Sequence, residues 1–281
     1  MLKQIRLELF KLTRRGRSYI GFVALLGIAG LMTLGFRNGP PPFQEMTAPP
    51  GFVTVGSVLN GGFVAWFLLR LVIEFFLPLF VCVVVGDLIS GEAAEGTLRS
   101  MLSRPISRGR LYFGKLATAV IYTAALTLFL GLVSYAVGAI FLGRGALMTF
   151  QTGRLFQAQG IFVYSESDGL VRLLLAYAFA VLAVLTVGSI AFFISTLVTN
   201  SLGAIGGAMI VYIVLKLIGV IGYFDPIEPY LFTTHMGAFE GFFIDEIPWL
   251  EIGKSALVLF IYSAAFAAAG FLVFRRKDVL S

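Results

Sequence analysis

Long apolar runs recur along this 281-residue chain, at Tyr19 to Phe36, Gly62 to Val85, Leu116 to Leu142, Leu173 to Val198, Leu202 to Tyr223 and Ser255 to Phe274. Each is long enough to cross a hydrocarbon core about 30 Å thick as a helix of about 20 residues. A soluble core could not absorb so many. The runs are continuous and rich in Leu, Ala, Gly and Phe, without the strict in-and-out alternation over about ten residues that marks a membrane barrel. Helices also satisfy their own backbone hydrogen bonds, which lipid cannot do. The expected fold is an all-α membrane protein with six transmembrane helices, forming one domain over residues 1–281. The 58% hydrophobic and 13% charged composition agrees, because a soluble domain is only about 45–50% apolar.

The formal net charge is +6, yet no nucleic-acid partner is expected, because in a membrane protein the placement of charge matters more than its sum. Lys3, Arg6, Lys11, Arg14, Arg15 and Arg17 precede the first run, and Arg99, Arg104, Arg108, Arg110 and Lys115 follow the second. Arg275, Arg276 and Lys277 follow the sixth, while acids gather in the alternate loops. Excess cations mark the cytoplasmic side, so the reading is a multi-pass membrane protein with both termini in the cytoplasm. A secretory signal peptide fits poorly: the first run exceeds a signal's apolar region, and Gly35-Phe36-Arg37-Asn38 offers no small-x-small cleavage site. Within residues 1–17, Leu2, Ile5, Leu9 and Leu12 recur at helical spacing, with Lys3, Gln4, Glu8 and Lys11 on other faces. That pattern predicts an amphipathic helix lying at the lipid headgroups, where its cations meet anionic lipid.

Three charges lie inside the runs. Arg70 and Glu74 stand four apart and share a helix face, so they can pair; Lys216 has no local partner, and Glu74 is the first to test. Such charges cost at least about 2.5 to 3.5 kcal/mol each in mid-membrane and usually face an interior or an aqueous cavity. They line a translocation path or gate, or else form a locked pair that sets packing. Snorkelling to an interface is the other reading of Lys216.

Catalytic signals are absent. Cys82 has no second cysteine, His235 is the single histidine without metal-ligand spacing, and Ser189 follows a glycine as helix-packing residues do. The chain is expected not to be an enzyme and to carry no metal or cofactor. Residues 39–51 read as a proline-rich connector and 143–169 as a longer loop. Residues 224–254 carry Phe239, Phe242, Phe243 and Trp249, a density that suits a membrane interface.

The polar stretch 86–115 between the second and third runs is too hydrophilic for lipid. Glu92 to Leu102 can form a short helix with Glu92 and Glu95 at its positive end, Arg99 four residues after Glu95, and Pro105 as the stop. Ser90-Gly91-Glu92, Glu95-Gly96-Thr97-Leu98, Leu102-Ser103-Arg104-Pro105-Ile106-Ser107-Arg108 and Gly114-Lys115-Leu116 together resemble the type-2 permease subunits of ATP-binding-cassette transporters. The amphipathic start, six spans and basic tail extend that resemblance over nearly the whole chain.

The resemblance implies that the stretch is a cytoplasmic coupling helix seated on a separate ATPase subunit. Glu92, Glu95, Thr97, Leu98, Arg99, Arg104, Pro105 and Arg108 would then form the contact region. It also implies that residues 224–254 fold as short, re-entrant helices over the substrate exit. No Gly-x-x-x-x-Gly-Lys-Ser/Thr loop is present, so ATP and Mg would belong to two partner ATPase subunits. A second permease chain, identical or similar, would complete the assembly in a prokaryotic cytoplasmic membrane, and export is the expected direction. The alternative is a carrier driven by an ion gradient, with Arg70, Glu74 and Lys216 as its coupling charges.

Overall fold

The computed structural model describes residues 2–38, 59–96, 107–152, 159–224 and 226–276. Helix α1 spans Leu2–Arg14 and turns at Gly16 into α2, Arg17–Asn38. Three helices follow in line: α3 (Gly61–Ile73), α4 (Phe76–Val85) and α5 (Asp87–Ala94). Then come α6 (Arg108–Leu142), strands β1 (Leu147–Thr152) and β2 (Gln159–Tyr164), α7 (Glu166–Leu197) and α8 (Ser201–Ile218). Short 3-10 turns at Gly222–Phe224 and Glu228–Tyr230 lead to α9 (Phe232–His235), a 3-10 helix at Met236–Phe243, and α10 (Trp249–Arg276).

Six helical stretches are long and apolar enough to cross a membrane: Arg17–Asn38, Phe76–Ala94, Arg108–Leu142, Glu166–Leu197, Ser201–Ile218 and Trp249–Arg276. Their outward surfaces carry Val23, Leu31, Leu132, Ile210, Leu257 and Phe260, each more than half exposed, as side chains that meet lipid would be. The protein is therefore an all-helical membrane type. One departure is the loop at 143–169, where β1 and β2 pair antiparallel from Leu147 opposite Tyr164 to Thr152 opposite Gln159.

Helix α7 is the central post, with α3, α4, α6, α8 and α10 packed around it. Serine and asparagine caps start four helices: Asn60 accepts from the Phe63 N–H, Ser107 from Arg110, Ser165 from Asp168 and Asn200 from Leu202. Helices α3 and α6 cross closely at paired glycines, where a Cβ on Gly138 would lie 2.8 Å from the Gly61 Cα.

The second span differs from the expected continuous helix over Gly62 to Val85. It breaks at Glu74 and Phe75, where Phe75 takes φ −144° and ψ −51°. Pro78 supplies the reason: it has no N–H to give the Glu74 carbonyl four residues earlier, and its ring crowds that carbonyl. The Tyr212 hydroxyl donates to the Glu74 oxygen instead, at 2.7 Å. Below the break, α4 runs through Gly86 into α5, whose Ile89 and Ser90 N–H groups donate to the Ser195 hydroxyl. The membrane-length helix is thus Phe76–Ala94, and α3 is a 13-residue helix enclosed by its neighbours.

The start of the polar stretch is likewise rearranged. The expected helix from Glu92 is instead the last turn of α5, which stops because Gly96 takes φ +71°, a conformation that glycine adopts without penalty. Glu92 and Glu95 therefore sit at a helix C-terminus, where the dipole disfavours acids.

Removing the Tyr212 hydroxyl takes the donor from this part-buried carbonyl, which costs about 1 kcal/mol. Tyr212→Phe is expected to lower the unfolding midpoint in detergent, and Pro78→Ala, which restores an N–H to that carbonyl, to recover much of the loss. Additive effects of the two changes in a double-mutant cycle would refute this account of the break.

Candidate functional site

Two polar nodes stand at different depths of the bundle. The first lies on the face where both ends of the described chain emerge. Lys115, near the start of α6, is fully buried, and its ammonium meets Glu8 Oε2 at 3.0 Å, Glu92 Oε2 at 2.7 Å and the Leu88 carbonyl at 2.8 Å. Lys11 meets the other oxygens of the same carboxylates, Glu8 Oε1 at 2.9 Å and Glu92 Oε1 at 3.0 Å. Two lysines and two glutamates thus tie α1, α5 and α6 together, with the charges balanced inside the node.

Beside them Asp87 accepts from Arg15 at 2.8 Å, Arg17 at 3.3 Å and the Ser201 hydroxyl, joining the α1–α2 elbow to the starts of α5 and α8. Burial works against the Glu8 charge, but Lys115 and Lys11 outweigh it and hold the carboxyl below its ordinary 4.5. Burial also opposes the Lys11 charge, yet Glu8 and Glu92 raise that ammonium above 10.5.

This packing corrects the expected disposition of α1. Glu8 and Leu12 face the protein, leaving Leu2, Leu7 and Phe10 exposed with Lys3, Arg6 and Arg14. It also corrects Glu92, expected on the surface of an ATPase contact: its carboxylate is buried and held by Lys11 and Lys115. Glu95 remains more than half exposed, with Arg15 3.5 Å away. Arg108 begins α6 and donates to the Arg275 carbonyl at 3.0 Å, joining α6 to the end of α10. Thr97, Leu98, Arg99, Arg104 and Pro105 lie outside the described residues.

The second node surrounds the break in the second span, about 20 Å along the helix from Asp87 at 1.5 Å per residue. Lys216 forms an ion pair with Glu74, the partner singled out for it. Arg70, expected opposite Glu74, turns instead to Glu240 Oε1 at 3.4 Å and donates to the Phe150 carbonyl at 2.9 Å. The helix break explains the exchange: Glu74 sits at the end of α3, where its side chain reaches α8.

These residues line a cavity of about 340 Å3 together with Glu228, Thr233, Thr234 and Gly237. Burial raises the Glu240 carboxyl above 4.5, with Arg70 opposing and Glu74 adding to the rise. Three carboxylates and two cations therefore face one small space.

The segment 226–248 forms one wall of this cavity. Phe232, Phe239, Phe242 and Phe243 are buried in the bundle, so these aromatics serve as packing anchors and not as a surface belt. Arg172 secures the segment, donating to the carbonyls of Phe242 at 2.8 Å and Ile244 at 2.7 Å while its guanidinium lies 4.2 Å from the centre of the Tyr164 ring. His235 bridges the Pro229 carbonyl, at 2.9 Å, and the Ser255 hydroxyl, at 3.0 Å, as a fastening between the segment and α10. Cys82 is buried, and burial makes it an inert packing residue. In the sequence Glu240 and Glu228 stand only among the acids of the alternate loops, with no spacing to mark them as site residues. An available signal was Glu240 itself, a lone charge between Phe239 and Phe242, as conspicuous as Arg70 in its own apolar run.

These features define a multi-span helical membrane protein with one charged node at its terminus-bearing face and a charged cavity deeper in. The chain belongs to the family described as "Protein of unknown function (DUF2705)", which matches residues 51–280. It is also similar to a Bacillus subtilis (strain 168) protein named "Uncharacterized protein YhcI", with 23% identity over 206 residues. That match covers 72% of this chain and 64% of the relative, so the chain spans under two thirds of the relative's length.

The node on the terminus-bearing face gives a pH test. Glu8 is depressed, so its contribution to stability is complete above pH 4.5 and is lost as pH falls through its lower folded value. Lys11 is raised, so its contribution is complete below pH 10.5 and is lost above it. The unfolding midpoint is expected to fall at both extremes, with Glu8→Gln flattening the acid limb. Lys115→Met leaves two buried carboxylates sharing Lys11 alone and is expected to cost about 3 kcal/mol, more than the paired change Lys115→Met with Glu92→Leu. Equal losses for the single and paired changes would show that the node does not act as a unit.

Proposed function

We propose that this chain is the transmembrane permease subunit of an ATP-driven transporter of the ATP-binding-cassette type-2 class, working as an exporter with ATP hydrolysed on separate subunits. The observation that carries the reading is the helical stretch Phe76–Ala94. Its upper end adjoins Glu74 in the charged cavity, and its lower end carries the residues that resemble the coupling motif. A rod about 28 Å long, at 1.5 Å per residue, thus joins the place where cargo would sit to the place where an ATPase would push.

On this reading the terminus-bearing face is cytoplasmic, consistent with its excess of cations. Two ATPase subunits would dock at the segment that follows Gly96, with Glu95 as the described residue most available to them. A second permease chain would close the path from the other side. Glu92 has a different part: with Lys11 and Lys115 it fixes the lower end of the rod to α1 and α6, so that force on the polar stretch reaches the bundle without loss of register. Breaking and remaking the Glu74–Lys216 and Arg70–Glu240 pairs would open and close the cavity. The same pairs suit the alternative of a gradient-driven carrier, in which protonation of Glu240, already favoured by burial, would drive the exchange.

Co-expression with an ATPase encoded beside this gene separates the two. The pair is expected to purify together in detergent, and Glu95→Lys to reduce the recovered ATPase several-fold without lowering the permease's unfolding midpoint. Failure of the wild-type pair to associate, together with transport that follows a proton or sodium gradient in vesicles, would overturn the proposal.

A further inference from the structure

The cavity at the break has a charge balance that identifies its ligand. Its walls present Glu74, Glu228 and Glu240 against Arg70 and Lys216. Both cations are already engaged inside the wall, Arg70 by Glu240 and the Phe150 carbonyl, and Lys216 by Glu74. Among the described residues Glu228 forms no ion pair, and Thr234 on the same wall keeps its hydroxyl free. A space of about 340 Å3 lies at the small end of the roughly 300–1,000 Å3 of small-molecule sites. Glu228 and the exposed half of Glu74 face this open space, and one added positive charge would bring three carboxylates and three cations into balance.

We propose that this cavity binds an organic cation, a small primary ammonium or guanidinium, whose charge is received by Glu228 while Thr234 accepts a hydrogen bond from the same group. Half of the Glu74 side chain remains exposed beside its lysine, so the bound cation also competes with Lys216 for Glu74 and loosens that pair. An anion entering the same space would meet three carboxylates and only two cations, both already committed, and is rejected.

The inference rests on reading the cavity as the cargo site, and it is tested by equilibrium binding that needs no ATPase. Failure here leaves the association experiment above intact, and failure there leaves this one intact. The purified full chain in lipid nanodiscs is titrated calorimetrically with three five-carbon probes of equal length: 5-aminopentanol, 1,5-pentanediol and 5-hydroxypentanoate. The aminopentanol is expected to bind at least about tenfold more tightly than the diol, a modest value for one close charge pair, and the hydroxypentanoate not at all.

Glu228→Gln is expected to abolish the preference for the cation, Glu228→Asp to keep part of it, and Lys216→Gln, which frees Glu74, to strengthen cation binding several-fold. Should Glu228→Gln fail to fold, the Lys216→Gln titration decides alone. Equal binding of the three probes, no heat with the cation, or a preference that survives Glu228→Gln would overturn the proposal, as would unchanged or weaker cation binding in Lys216→Gln.

Discussion

One ammonium group organises the terminus-bearing half of this protein. Lys115 Nζ lies out of water among two carboxylates and a carbonyl supplied by α1 and α5. A charge buried there without such partners would be expelled or neutralised, so the helices that carry the partners must stay where they are. Glu92 and Glu95, at the C-terminus of α5 where acids are disfavoured, are stable because Lys11, Lys115 and Arg15 surround them. The same lysine sets the rotation of α1, turning Glu8 inward and leaving Leu7 and Phe10 to the surroundings.

The deeper node obeys the same rule with a different outcome. Its ion pairs lie around a cavity and remain partly open, so their partners have somewhere to go. A closed node and an open one, connected by α4 and α5, divide the molecule into a part that holds and a part that can rearrange. The Ser195 hydroxyl, receiving two N–H groups where α4 meets α5, keeps the connection from fraying at Gly86.

The six membrane-length runs were legible because lipid demands helices of a minimum length, and composition shows such lengths directly. Lys216 with Glu74 was legible because few acids lie deep in the chain. The break in the second span was also written in the sequence, as Pro78, but a proline inside an apolar run reads equally as a tolerated kink until the donor that replaces its N–H is seen. Gly96 gave a similar local signal, ending a helix that charge spacing alone extended to Leu102. What could not be read was long-range partnership. Nothing near Glu92 in sequence says that it will meet Lys11, 81 residues away, or that Arg70 will prefer Glu240 to the acid four residues on. Periodicity describes one helix at a time, whereas buried charges are matched between helices.

Helix α3 has a consequence for how the protein is made. At 13 residues it is about 20 Å long and cannot cross a bilayer of about 30 Å alone. Two of the surfaces that enclose it, α6 and α7, leave the ribosome after it does. During synthesis α3 must therefore wait at the membrane surface, or be threaded in with the helix below it, until the later segments arrive. The close glycine contact between Gly61 and Gly138 can form only after the third span has been made.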